Sequence, residues 1–226
     1  SNRCGYQSAE PCDDHGHGTH TLGTIVGRDD AGNQVGMAPG AKWIGCRNMD
    51  AGTGRPSMYM LCFQFFLAPF PLDGDPEQDG DPSLAADVIN NSWGCPPSEL
   101  CEGDEFIEVL ENLWDAGIMV VAAAGNSGSG CSTIADGPAH NSNLVFSVGA
   151  LNHRSGEIAS FSSRGPSTFD GAVGPNVSAP GVSIRSTVPG GGYSGLMWSG
   201  TSMASPHVVG QVALIWSAAP DLTGDV

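Results

Sequence analysis

Two rhythms of apolar positions run through the chain. Between Asp104 and Ala116 they fall at 106, 107, 109, 110, 113 and 114, one face of a helix, and the acids that open the segment suit the positive end of the helix dipole. Ile118–Ala124 (IMVVAAA) and Leu144–Gly149 (LVFSVG) are instead short, unbroken apolar runs, the mark of strands buried on both faces. Asp87–Trp93 (DVINNSW) reads as a third strand and Lys42–Met49 (KWIGCRNM), behind a Pro39-Gly40 turn, as a fourth. Val182–Val188 is a candidate fifth. His17–Val26 predicts a short helix closed by Gly27 in the C-cap position. Ser57–Ala68 predicts a buried helix between Pro56 and Pro69, and Ser202–Ala218 a long apolar one. Residues 1–16 and the acidic stretch Asp73–Pro82 read as loops. Strands alternating with helices predict a three-layer α/β/α sandwich around a mainly parallel sheet. Neither an internal repeat nor a linker breaks the pattern, so residues 1–226 read as a single domain.

Composition narrows the functional classes. Eight Lys+Arg against 24 Asp+Glu give a formal charge of −16, the wrong sign for a nucleic-acid binder or a polybasic membrane anchor. No apolar run reaches the ~18 residues of a membrane span. The 33 glycines are about double the usual ~7% share, so tight turns and close backbone approaches are expected. The seven cysteines lack CxxC spacing, which argues against zinc. Cys4 with Cys12, and Cys95 with Cys101, are near enough in sequence to close small disulfide loops; the odd total leaves at least one thiol free or paired outside the chain. Disulfides imply export, and seven reduced thiols are the alternative. No signal peptide opens the chain, so residue 1 reads as a cut point or a mature end.

In open α/β sheets chemistry gathers at strand carboxyl ends and helix N-termini. Three segments fit: Gly-His-Gly-Thr-His (16–20) at a helix start, Ala-Ala-Ala-Gly-Asn-Ser-Gly (122–128) where a buried strand breaks into a loop, and Ser-Gly-Thr-Ser-Met-Ala-Ser-Pro-His (199–207) at the mouth of an apolar helix. Each alone reads as readily as a cap or a turn. Together they supply a base, an oxyanion donor and a nucleophile on one rim.

At these residues a resemblance enters. HGTHTLGTIVG (17–27), VINNSWG (88–94), VVAAAGNSG (120–128) and GTSMASPHVVGQVAL (200–214) resemble, in order, the signature blocks of subtilisin-like serine peptidases, the subtilases. VGMAPGAKW (35–43), FSSRGP (161–166) and APGVSIRST (179–187) fit the same family, and the stretch from about 55 to 86 looks most like its bacillopeptidase F branch. The resemblance implies a subtilisin-like fold and a serine endopeptidase acting on proteins or peptides, with no cofactor needed for the chemistry and a propeptide as an early partner. It implies Ser202 as nucleophile, His17 as general base, and Asn126 with the Ser202 N–H as oxyanion donors. Ser92, Trp93 and Gly94 resemble the segment that pairs with substrate as an added strand, and Ala123, Ala124 and Gly125, running into Asn126, one wall of the pocket beside the scissile bond.

The departures are equally specific. The family places a catalytic aspartate on an early strand as Asp-Ser/Thr-Gly, and no such motif precedes His17. Asp13 and Asp14 lie too near His17 in sequence to be that acid and read as loop residues. The expectation is a domain cut before its first strand and after its serine helix, with the aspartate upstream of residue 1. Asp75, Glu77, Asp79 and Asp81, with Gly80, resemble half of an EF-hand loop and stand as candidate ligands for a structural calcium, although Ala86 occupies the position of the closing glutamate.

Two functions compete. A secreted serine endopeptidase accounts for His17, Ser202 and Asn126 together; a non-catalytic peptide-binding module needs none of the three. An α/β-hydrolase esterase fails for want of a G-x-S-x-G elbow around Ser202.

Overall fold

The computed structural model describes Cys4 and residues 12–224. In chain order it forms α1 (His17–Val26), a two-strand ribbon of β1 (Met49–Asp50) and β2 (Thr53–Gly54), α2 (Pro56–Leu67), β3 (Val88–Asn91), α3 (Ile107–Asp115), β4 (Met119–Ala123), β5 (Phe146–Leu151), β6 (Val177–Pro180) and α4 (Thr201–Ala218). The central sheet runs β3-β4-β5-β6 and every pairing is parallel. Its register sets Ile89 beside Val120, Ala123 beside Val148, and Ala150 beside Ala179.

The two-residue period of a strand divides the core. Val120, Ala122 and Ala124 join Ile89 and the buried Leu110 and Leu113 of α3, together with Tyr59 and Phe63 of α2. Val121 turns the other way with Val148, Ala150, Ala204 and Val209 of α4. Helices thus cover both faces, which explains why the strands read as continuous apolar runs. Burying each large apolar side chain contributes about 1.5–3 kcal/mol before the entropy of ordering is counted.

Two expected strands are corrected. Lys42–Met49 does not join the sheet: residues 41–48 have no strand pairing, and Trp43 and Ile44 are exposed. Strand propensity needs a partner, and among the described residues none runs beside this segment; a disulfide from Cys46 to Cys62 ties it to α2 instead. Val182–Val188 forms only isolated bridges, Ile184 with Trp198 and Thr187 with Tyr193, while the fourth strand of the sheet is the preceding Val177–Pro180. Helix α3 begins at Ile107 rather than Asp104, because residues 104–106 form the entering turn.

All seven cysteines are accounted for. Cys4–Cys12, Cys46–Cys62 and Cys95–Cys101 are bonded and Cys131 is an exposed thiol. The Cys46–Cys62 pair had no signal in sequence spacing.

Candidate active site

The rim is built where β3 and β4 end and α4 begins. Past β4 the chain turns at Gly125, whose φ of +102° suits glycine, and a Cβ there would lie 2.9 Å from Ser163 Oγ. That turn delivers Asn126 to the mouth of α4. The helix has Gly200 as its N-cap, with no side chain to accept from its first N–H groups. Asn126 substitutes from a distant segment: its Oδ1 accepts from the Thr201 N–H at 2.9 Å and the Thr201 hydroxyl at 3.0 Å. Thr201 Oγ1 in turn accepts from the Gly125 N–H at 3.2 Å. With Oδ1 fixed by two donors, the Asn126 amide Nδ2 is left to donate elsewhere.

Ser202 occupies the next position, in the first turn, where the helix offers its N–H no acceptor. Its Oγ donates to the carbonyl oxygen of Ser92 at 3.0 Å. Pro206 stands one turn further on and has no N–H to return to the Ser202 carbonyl. The hydroxyl of Ser92 donates to that carbonyl instead, at 2.9 Å. Behind the pair, Ser205 donates to Asn90 Oδ1 at 2.8 Å and Asn90 Nδ2 donates to Ser92 Oγ at 3.0 Å. Asn90 and Ser205 were not anticipated; a proline inside an apolar helix was the available signal that a carbonyl one turn back needs an outside donor.

Ser92, Trp93, Gly94, Ala123, Ala124, Gly125, Asn126 and Ser202 all line one cleft of about 200 Å³. Trp93 stacks on Tyr59 at 4.0 Å and meets Phe106 edge-on at 5.8 Å, which anchors this stretch of the wall. Sequence reasoning missed Asp136, which shares the lining with Thr133, Ala135 and Ala139.

His17 stands apart from that lining, at the first position of α1. It makes no hydrogen bond to Ser202 among the described residues. Burial, with smaller effects of His15 and His20, pushes its pKa down to about 4, and Asp13 opposes this weakly. His20 is fully buried; its ring stacks on Trp198 at 4.7 Å, Nε2 lies 3.3 Å from the Ile184 carbonyl oxygen and Nδ1 has no partner among the described residues.

Neither nearby aspartate is free to orient an imidazole. Asp13 Oδ1 accepts from the His15 and Gly16 N–H groups, and Oδ2 from the Thr19 N–H and hydroxyl. Burial disfavours its charge, but these four donors outweigh burial and bring the pKa to about 2. Asp14 pairs with Arg47 and accepts from the Ala51 N–H.

In the acidic loop the carboxylates of Asp75, Asp79 and Asp81 are engaged within the loop itself. Asp79 accepts from the Asp75 N–H, Asp75 from the Glu77 N–H and Gln78, and Asp81 from the Ser83 N–H and hydroxyl. Asp75, Asp79 and Asp81 therefore serve their own turns, and with Glu77 they do not gather into one ligand cluster among the described residues.

Sheet order, helix layers and a cleft at the strand ends define an α/β protein of subtilisin-like architecture. Among solved structures, S41 psychrophilic protease matches with a TM-score of 0.74 at 30% identity, over 96% of this chain and 68% of that one. Sphericase matches with 0.75 at 29% identity, again over 96% and 68%. The chain belongs to the subtilase family, whose family model matches residues 2–226. It is 41% identical over 223 residues to bacillopeptidase F of Bacillus subtilis (strain 168), covering 96% of this chain and 15% of that protein. It is 37% identical over 212 residues to subtilisin E of the same organism, covering 93% and 48%. The chain thus spans about half of subtilisin E and a much smaller part of bacillopeptidase F.

Proposed function

We propose that the protein containing this chain is a serine endopeptidase of the subtilisin type. The observation that carries the reading is the junction of Asn126 with the first turn of α4: the amide is held through Oδ1 by Thr201, which leaves Nδ2 to donate elsewhere, and Asn126 and Ser202 line one cleft. A peptide carbonyl seated there would meet a nucleophile and two donors for the oxygen on which charge develops. Substrate would lie along Ser92–Gly94 as an added strand.

His17 acts as general base, taking the Ser202 proton and returning it to the leaving amine. For that step the serine hydroxyl turns from the Ser92 carbonyl toward the imidazole. A carboxylate from outside the 226 residues orients His17, a role for which Asp13 and Asp14 are already committed elsewhere. The disulfides and the secreted-enzyme resemblance favour export, with a propeptide removed on maturation.

The test is cleavage of an unfolded protein by the full-length, matured protein beside its Ser202→Ala variant. Cleavage lost in the variant supports the enzyme. Equal inertness of the two gives the peptide-binding module the better claim.

A further inference from the structure

Among the described residues, Asp136 is the one charged side chain in the lining of the cleft that holds Ser202 and Asn126. It is half-buried, and among the described residues no side chain or backbone N–H donates to its carboxylate and no ion pair reaches it. It faces the wall assigned to substrate: a Cβ built on Gly94 would lie 3.1 Å from Asp136 Cβ and 3.6 Å from Oδ2. Most other acids of known contact here are spent on their own turns, as Asp13, Asp29, Asp81 and Asp170 are. Asp136 is not.

Its neighbours on both sides are fixed. The Cys95 N–H donates to the Gly137 carbonyl at 2.8 Å, and Cys95 is itself bonded to Cys101. The buried ring of His140 bridges the Ala135 carbonyl oxygen at 3.0 Å and that of Gly103 at 2.8 Å. The carboxylate is therefore presented by an anchored loop, with Ala123, Ala124 and Ala139 offering small apolar walls for a methylene stem.

We infer that Asp136 is a specificity-determining residue, and that the cleft takes peptides with Arg or Lys as the residue whose carbonyl is attacked. A guanidinium or ammonium entering beside Gly94 would supply the donors that Asp136 lacks, in a site partly withdrawn from water. This rests on the peptidase reading for its orientation, but the cation pocket is testable without turnover.

The matured full-length protein is assayed on peptides that differ only in the residue before the scissile bond: Arg, Lys, Leu or Glu. Arg and Lys peptides are expected to exceed the Leu peptide in kcat/KM, with Glu last, and the isosteric Asp136→Asn should lower the Arg-to-Leu ratio roughly 10- to 100-fold. The ratio should persist in about 1 M salt, where the field of the acidic surface is screened within ~3 Å. In parallel, benzamidinium binding is measured by calorimetry on Ser202→Ala protein, with binding expected and abolished by adding Asp136→Asn. Equal Arg and Leu rates in the unmutated enzyme, or a ratio untouched by Asp136→Asn, overturns the inference and leaves the peptidase reading standing. Absence of cleavage of every peptide overturns the peptidase reading, and the calorimetry then decides the pocket alone: no benzamidinium bound, or binding indifferent to Asp136→Asn, refutes it.

Discussion

The hydroxyl of Ser92 donates to the carbonyl oxygen of Ser202, 2.9 Å away, while the hydroxyl of Ser202 donates to the carbonyl oxygen of Ser92 at 3.0 Å. The two bonds lock the segment that follows β3 to the mouth of α4. One of them exists because Pro206 cannot supply the usual helical N–H. Ser92→Ala leaves a carbonyl without its donor and should destabilise the protein by about 1–3 kcal/mol. Urea unfolding of variant and parent measures this; an unchanged midpoint and slope would contradict the role given to Ser92.

Asn126 caps Thr201 through Oδ1, and in the proposed reaction its Nδ2 donates to the oxyanion. Asn126→Ala should reduce kcat ~10²–10³-fold, a magnitude that comes from subtilisin, a relative of this chain, with a lesser change in KM. Asn126→Asp keeps the acceptor for Thr201 but lacks the donor, so it should preserve more stability than alanine while staying slow. If Asn126→Asp turns over as fast as the parent, the oxyanion assignment fails.

His17 titrates in the fold at about 4 against an ordinary value of 6.5. Between those values the unfolded chain binds the proton and the folded one does not, so stability rises with pH across that window and falls on acidification. His20 and His207, both lowered by burial, push in the same direction. Asp13, held at about 2, contributes separately: its stabilisation is lost as pH falls below its ordinary 3.8 toward 2. Chemical unfolding at a series of pH values should show His17→Gln flattening the slope between pH 6.5 and 4 while leaving the more acid limb; an unaltered slope would refute the burial of a neutral His17.

Much of this was legible before the structure. The ends of α1 and α4 were readable because apolar periodicity, Gly27 and the small residues before Ser202 are local signals. β4 was readable because both its faces are buried. Residues 42–48 have the composition of a strand, but among the described residues no strand pairs with them, which composition cannot reveal. β6, four residues ending in proline, was too short to announce itself. Within the site, single residues in glycine-rich blocks could be named, but not what holds them: Asn90, Ser205 and Asp136 reach the cleft or its back wall only through tertiary packing.

Three disulfides leave one thiol. Titration of the denatured, unreduced protein should count a single reactive cysteine, Cys131, in this domain. Three or more would show that at least one of the pairs, such as Cys95–Cys101, does not form.

The central claim, that Ser202 is a nucleophile activated at the mouth of α4, is tested most directly by covalent labelling. The full-length, matured protein is treated with a serine-directed fluorophosphonate, digested, and the modified residue located by mass spectrometry. The account predicts one adduct, on Ser202, whose formation slows sharply in His17→Ala and disappears in Ser202→Ala. A folded protein that takes no label at Ser202, or one labelled there equally fast without His17, would contradict it.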